Sequence, residues 1–185
     1  TGAKNLWLLA TSGPDDYHHD RAAWGSPVLI DAAGKKIDLT TIKPTALTSG
    51  HGGLRINKGL SANVLQIGRK KFKKGLLLHA PSSIHFKLDG KYVRFEAEVG
   101  IGAGAGKNGS CTFRVLDKYD PAGMKKYPLG KKVYVEKGAP RGRPARAARA
   151  ATPIVNIKAL GLAIADLTAT YKDRYPKGAE YAKRL

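Results

Sequence analysis

The chain has 185 residues, 42% of them hydrophobic, which is enough to build the core of one ordinary domain with an extension. Lys and Arg number 33 against 14 Asp and Glu, and the net charge of +19 attracts polyanions, whether nucleic acid, anionic polysaccharide, an acidic membrane surface or an acidic protein. The single cysteine, Cys111, excludes an intramolecular disulfide and a cysteine-based metal site, and no apolar run reaches the roughly 20 residues that span a bilayer.

Strand-forming segments begin close to the first residue. Residues 5–11 (NLWLLAT) form an apolar run that ends in the turn-forming cluster Ser-Gly-Pro-Asp-Asp, and this pattern predicts a buried strand. Residues 27–30 and 37–39 flank a turn and predict a hairpin. Three shorter strand candidates, interrupted by glycines, follow at 64–67, 71–72 and 76–79.

The clearest strand pattern lies in the middle of the chain. Every second side chain of residues 83–88 is apolar, and Asp89-Gly90 then predicts a tight hairpin turn. Several alternating strands at short spacing, with no βαβ rhythm, predict a mainly β protein, namely an antiparallel β-sandwich or jelly roll. The predicted inward side chains of the two following strands are Val93, Phe95, Ala97 and Val99 on one and Cys111, Phe113 and Val115 on the other.

The pattern changes after residue 136. Residues 137–151 (KGAPRGRPARAARAA) are basic, low in complexity and punctuated by proline, which is typical of a linker or an extended arm. Further on, apolar residues recur at helical spacing and predict an amphipathic helix over 158–171, and Pro176 can start a second short helix. The predicted organisation is a sandwich domain at 1–136, a basic arm at 137–152 and a helical extension at 153–185.

Two segments carry motifs of a known family. The first, residues 74–116, contains Lys74-Gly75 and His79-Ala80-Pro81-Ser82, followed by glycines and aromatic residues that include Gly90, Tyr92, Phe95, Gly100, Gly109 and Phe113. This string resembles the centre of the NPCBM domain, the novel putative carbohydrate-binding module. The second, residues 2–29, resembles the closing strands of the same family, with Asp20-Arg21-Ala22-Ala23-Trp24 in place of an Asp-His-Ala-Asp-Trp string.

The order of the two segments is reversed relative to the family, because the closing strands stand first in this chain. Either residues 1–31 are the tail of a preceding copy in a longer protein, or they complete this sandwich by circular permutation. We favour permutation, since a sandwich built only from the later residues would leave sheet edges open.

The resemblance implies a galactose-binding-like jelly roll that binds a glycan, expected to be a polysaccharide, as a non-catalytic part of a larger exported bacterial protein. Its expected location is therefore outside the cytoplasm. The chain opens at Thr1 without a Met or a leader and is expected to be a processed product or an excised fragment. No nucleophile, base and orienting acid can be assembled from its Ser, His and Asp residues, so no enzymatic activity is expected.

The turn before Trp24 concentrates the groups that hold sugars, which are aromatic rings and planar polar side chains. Trp24 and His79 each have a structural alternative, because a tryptophan often packs in a core and a histidine often bonds a neighbouring loop. Asp15, Asp16 and Asp20 are also candidate ligands of a structural calcium ion. The predicted carbohydrate-binding residues are Asp16, Tyr17, His18, Asp20, Arg21, Trp24 and His79.

Two basic segments are candidate polyanion-binding surfaces. They would draw in an acidic polysaccharide over a long range, or dock the chain onto an acidic partner protein. The alternative function is accordingly a structural or assembly subunit of a large complex, which uses the basic arm and the helix. Nucleic-acid binding ranks third because no recognition fold or base-stacking aromatic string accompanies the arginines. The basic residues concerned are Arg55, Lys58, Arg69, Lys70, Lys71, Lys73 and Lys74 in the first segment and Arg141, Arg143, Arg146 and Arg149 in the second.

Overall fold

Short strands separated by turns make up nearly all of the regular structure. The computed structural model describes residues 2–13, 18–104, 109–118, 155–160, 167–172 and 180–183, and it contains fourteen strands within those ranges. Two single turns of 3-10 helix, Leu39–Thr41 and Leu60–Ala62, interrupt them. The strands are β1 Asn5–Ser12, β2 Arg21–Asp31, β3 Lys36–Asp38, β4 Ala46–Thr48, β5 Arg55–Ile56, β6 Leu65–Ile67, β7 Lys70–Phe72, β8 Gly75–His79, β9 Ser82–Lys87, β10 Tyr92–Ile101, β11 Ser110–Leu116, β12 Val155–Leu160, β13 Leu167–Lys172 and β14 Glu180–Lys183.

The strands form two large sheets and one small hairpin, and all the described pairings are antiparallel. Sheet 1 has the order β14-β13-β11-β1-β9-β4. Sheet 2 has the order β12-β10-β2-β8-β5, with β3 also paired to β2, and β6-β7 stands apart as a hairpin. The predicted mainly β, antiparallel sandwich is confirmed.

The opening residues of the chain occupy the middle of both sheets. β1 lies between β9 and β11, where Trp7 is opposite His85 on one side and Leu116 on the other. β2 lies between β8 and β10, where Trp24 is opposite Leu76 and Val99. Both opening strands therefore pair on two sides within these sheets.

The core lies between the two sheets and consists of the inward side of each alternating strand. Phe86, Phe95 and Phe113 are almost completely buried, as the period of two predicted. Val93 is the exception, because it was predicted inward and is 37% exposed. The register between β10 and β2 shifts between Tyr92 and Arg94, so that the irregularity turns Val93 outward and buries Tyr92 instead.

A second, smaller core lies on the outer face of sheet 2, beneath the β6-β7 hairpin. Leu65, Ile67 and Phe72 of the hairpin pack on Ala23 and Leu77 of the sheet. Gly25 and Gly75 are opposite one another, so this part of the sheet surface carries no side chains of its own from these two positions. A methyl group on Gly25 would approach the Phe72 ring to 2.5 Å, and one on Gly75 would collide with Leu65, so the two glycines admit the hairpin.

The last three strands correct the predicted helices. The amphipathic helix predicted over 158–171 is wrong at 158–160 and 167–171, which are strands, and the short helix predicted after Pro176 is wrong at 180–183. β12 pairs with β10 and β13 with β11. Strand pairing is favoured over helix formation here because β10 and β11 would otherwise leave sheet edges with unpaired N–H and C=O groups. Residues 161–166 and the predicted basic arm at 137–152 lie outside the described residues.

Candidate carbohydrate-binding site

One end of the sandwich gathers the segments that carry most of the predicted sugar-binding residues. We call it the loop end and define it by residues 18–21, 49–54, 79–82 and 102–104. Backbone hydrogen bonds join these segments: the Ala80 amide donates to the Asp20 carbonyl at 2.8 Å, the Gly50 amide to the His79 carbonyl at 3.1 Å, and the Gly102 amide to the Arg21 carbonyl at 2.7 Å. The loop end is therefore a connected framework in which four separate parts of the chain hold one another.

Asp20 is a structural residue of this framework. Its side chain is fully buried, and its Oδ1 accepts a hydrogen bond from the Ser110 amide at 2.7 Å, which ties the start of β2 to the start of β11. The assignment of Asp20 as a sugar-binding residue is corrected, because a side chain without exposed surface cannot reach a glycan.

The predicted calcium site is only partly described. Asp15 and Asp16 lie outside the described residues, as does the predicted sugar-binding Tyr17. Among the residues that the structure describes, no three His, Cys, Asp or Glu side chains are grouped to hold a metal ion. Asp20, the described member of the predicted set, uses Oδ1 to accept the Ser110 amide.

Trp24 belongs to the core, so its assignment as a sugar-binding residue is also corrected. Its indole is 1% exposed and packs edge to face against Phe113, with ring centroids 5.2 Å apart, and it also contacts Phe95. The physical reason is its place on β2, where it stands on the inward side of a central strand. A sugar ring has no access to either face of this indole.

His79 takes the structural role that the sequence left open. It is 5% exposed, and its Nδ1 lies 2.5 Å from the Ala80 carbonyl oxygen. Burial lowers the pKa of His79, the bond to Ala80 opposes this effect, and the charges of Arg21, His51 and His19 lower the pKa further. Burial thus favours the neutral ring of His79 inside the framework, and its prediction as a sugar contact is wrong because the side chain is buried.

The loop end presents several histidines and an arginine to solvent. His18, His19 and His51 are exposed, Arg21 is half-buried, and the His51 ring centroid lies 6.0 Å from that of His79. His19 has a positive φ of 68°, and its carbonyl accepts from the Arg21 amide at 2.7 Å, so the chain reverses tightly here before it enters β2. These residues bring planar imidazole and guanidinium donors together on a fixed backbone.

The basic residues of the first predicted polyanion segment are exposed, but acids neutralise two of them. Lys70 forms an ion pair with Glu98 at 2.6 Å, and Lys74 forms one with Asp38 at 3.3 Å. Glu98 stands on the outer face of sheet 2, where it balances the positive charge of Lys70. The four arginines of the second segment, Arg141, Arg143, Arg146 and Arg149, lie outside the described residues. Arg55, Lys58, Arg69, Lys70, Lys71, Lys73 and Lys74 are all exposed.

Sequence reasoning missed the aromatic surface on the outer face of sheet 1. Trp7, predicted within a buried strand, is only half-buried and stacks on His85 of β9. The His85 ring bonds on both sides, with Nδ1 2.9 Å from Thr45 Oγ1 and Nε2 3.0 Å from Asn5 Oδ1. The signal was the alternation of Asn5 and Trp7 with Leu6 and Leu8, which an uninterrupted apolar run concealed.

A comparison with known protein families gives one match. A family model described as the NPCBM/NEW2 domain matches residues 35–176, which is more than half of the chain. No curated protein and no solved structure matches it. In the part of the chain that the structure describes, no helix is long and apolar enough to cross a membrane. The chain therefore belongs to the NPCBM/NEW2 domain family, a family of carbohydrate-binding modules.

Proposed function

We propose that this protein is a non-catalytic domain that binds a polysaccharide, and that it forms part of a larger exported bacterial protein. Family membership supports the general role. The proposed contact surface is the loop end, where His18, Arg21 and His51 present planar donors to solvent. Sugar hydroxyls are held by such planar polar side chains on a preformed surface.

The observation that carries this choice of surface is the rigid framework beneath these side chains. Asp20 fixes the start of β2 to β11, and His79 is buried directly beside Arg21 in the pairing of β2 with β8. A surface that is already ordered before binding loses little conformational freedom when the ligand arrives. The two buried residues thus serve binding indirectly, by holding the exposed ones.

The alternative of an assembly subunit receives no support from the described residues. It depends on the basic arm, which lies outside the described residues, together with the predicted amphipathic helix. Residues 155–160 and 167–172 are strands that extend sheets 2 and 1, so the described part of that segment already has its partners.

Affinity electrophoresis against a panel of neutral and acidic polysaccharides tests the proposal. The wild type should be retarded by at least one polymer, and the variant Arg21→Gln/His51→Asn should lose at least about tenfold in affinity for it. Trp7→Leu is the matched comparison, since it removes the aromatic surface of sheet 1. Loss of binding in Trp7→Leu alone would place the contact on sheet 1 and contradict the loop-end site, and no retardation by any polymer would contradict the function.

A further inference from the structure

The outer face of sheet 2 brings two arginines to the same strand from opposite sides. In antiparallel sheets, directly paired residues project from the same face. Arg21 of β2 is paired with His79 of β8, and Arg55 of β5 is paired with Leu77 of β8. His79 and Leu77 are two positions apart on one strand, so both arginines stand on one face with β8 between them.

Within the part of the chain that the structure describes, neither guanidinium group forms an ion pair with an acid. None of the described carboxylates lies within 4.0 Å of Arg21 or Arg55, and the acids of this region are engaged elsewhere, with Asp20 on Ser110 and Glu98 on Lys70. Burial lowers the pKa of Arg21, and the charge of Arg55 lowers it further. Repulsion between a partly buried cation and an exposed cation beside it is relieved when an anion binds between them.

We propose that Arg21, at the loop end, and Arg55, on the adjoining strand β5, bind the carboxylate or sulfate group of an acidic polysaccharide. This proposal rests on the proposed function and names the class of glycan. The planar fork of a guanidinium matches the two oxygens of such a group. Strands that flank a common neighbour lie roughly 10 Å apart, a distance that two long arginine side chains can close from both sides.

The surroundings of the arginine pair favour a polysaccharide over a nucleic acid. Proteins that hold single-stranded nucleic acid combine cations with exposed aromatic rings on which the bases stack. Among the described residues, none of the exposed large hydrophobic side chains is aromatic, and Phe72, which packs on this face over Gly25, is buried in the hairpin core. The exposed large hydrophobic residues are Leu47, Ile56, Val64 and Val93.

The test compares two double variants that remove the same charge. Arg21→Gln/Arg55→Gln deletes the proposed pair, and Lys35→Gln/Lys43→Gln deletes two exposed cations that lie outside both basic segments. Titration calorimetry with polygalacturonate and with its carboxyl-reduced form measures affinity for the same polymer with and without the acid group. We expect the arginine variant to lose at least about tenfold for polygalacturonate, the lysine variant about twofold at most, and the wild type to bind the reduced polymer at least about tenfold more weakly.

Several results would overturn the inference. Equal losses in the two double variants would mean that net charge alone attracts the polymer. Tight binding of the reduced polymer by the wild type would contradict the acid-specific pair and leave the proposed function intact, whereas no binding to any polysaccharide would contradict both. Tighter binding of single-stranded DNA, lost in the arginine variant, would assign the pair to nucleic acid. If the arginine variant fails to fold, Arg55→Gln alone, at an exposed position of β5, supplies the same comparison against Lys35→Gln.

Discussion

Trp7 and His85 stack as parallel plates across β1 and β9, with ring centroids 4.0 Å apart and 6° between the ring planes. They face away from the core, whereas Trp24, the other of the chain's two tryptophans, lies inside it. The Trp7 indole is therefore partly in contact with water and the Trp24 indole is in the apolar core, so the fluorescence of the two can be distinguished.

The first prediction concerns fluorescence. Acrylamide should quench part of the tryptophan emission readily and the rest poorly, because Trp7 is half-buried and Trp24 is 1% exposed. In Trp7→Phe the readily quenched fraction should disappear. Retention of that fraction in Trp7→Phe would mean that Trp24 is accessible and that the described core is wrong.

The second prediction concerns the core. Trp24→Ala should lower the free energy of unfolding by about 3–5 kcal/mol, because it removes a large buried ring that contacts Phe113. Trp7→Ala should cost clearly less, since part of that indole already faces water. Urea unfolding followed by circular dichroism measures both, and equal costs for the two variants would contradict the assignment of Trp24 to the core.

The third prediction concerns pH and His79. Its pKa is lowered chiefly by burial, so the folded protein favours the neutral ring relative to the ordinary value of 6.5. Unfolding then takes up a proton as the pH falls, and the stability that His79 contributes is fully present above 6.5 and is lost below it. The melting temperature should fall between about pH 7.5 and about pH 5.

The matched variant for this effect is His79→Asn, whose amide can still donate to the Ala80 carbonyl without titrating. Its melting temperature should change less over the same pH interval. Burial, followed by the charge of Lys87, also lowers the pKa of His85, so a reduced dependence on pH is expected to remain. An unchanged or steeper dependence in His79→Asn would contradict the role of His79.

The fourth prediction concerns the hairpin on sheet 2. Gly25→Ala should cost about 1–3 kcal/mol of unfolding free energy, because its methyl group would approach the Phe72 ring to 2.5 Å and push the hairpin away. Gly53→Ala is the control, since no atom lies within 4 Å of the new methyl group, and its effect should stay within about 0.5 kcal/mol. Equal effects in urea unfolding would show that Phe72 does not pack on this glycine.

The fifth prediction concerns the framework of the loop end. Asp20→Ala should cost about 1–3 kcal/mol of unfolding free energy, because it leaves the buried Ser110 amide without its carboxylate acceptor. Asp20→Asn keeps an acceptor oxygen and should cost less. Thermal unfolding of both variants checks the order, and an Asp20→Ala protein as stable as the wild type would remove Asp20 from the framework.

The sequence by itself determined the strands and the inward faces of the middle of the chain. The period of two in residues 83–88 and 111–115 is a local property, and burial of Ile84, Phe86 and Phe113 follows from it. The candidate site was predicted less well, because residue type alone cannot tell a buried residue from an exposed one. Asp20, Trp24 and His79 have the chemistry of sugar contacts, yet all three are buried.

Only the tertiary structure decided which side chains meet. Arg21 and Arg55 are far apart in the sequence and become neighbours because both β2 and β5 pair with β8. In the same way, residues 155–160 and 167–172 are strands, despite the helical spacing of their apolar residues, because they pair with the edges of β10 and β11. The periodicity of a strand depends only on a few neighbouring residues. The face that a side chain occupies and the residue that it contacts depend on strands brought together from distant parts of the chain.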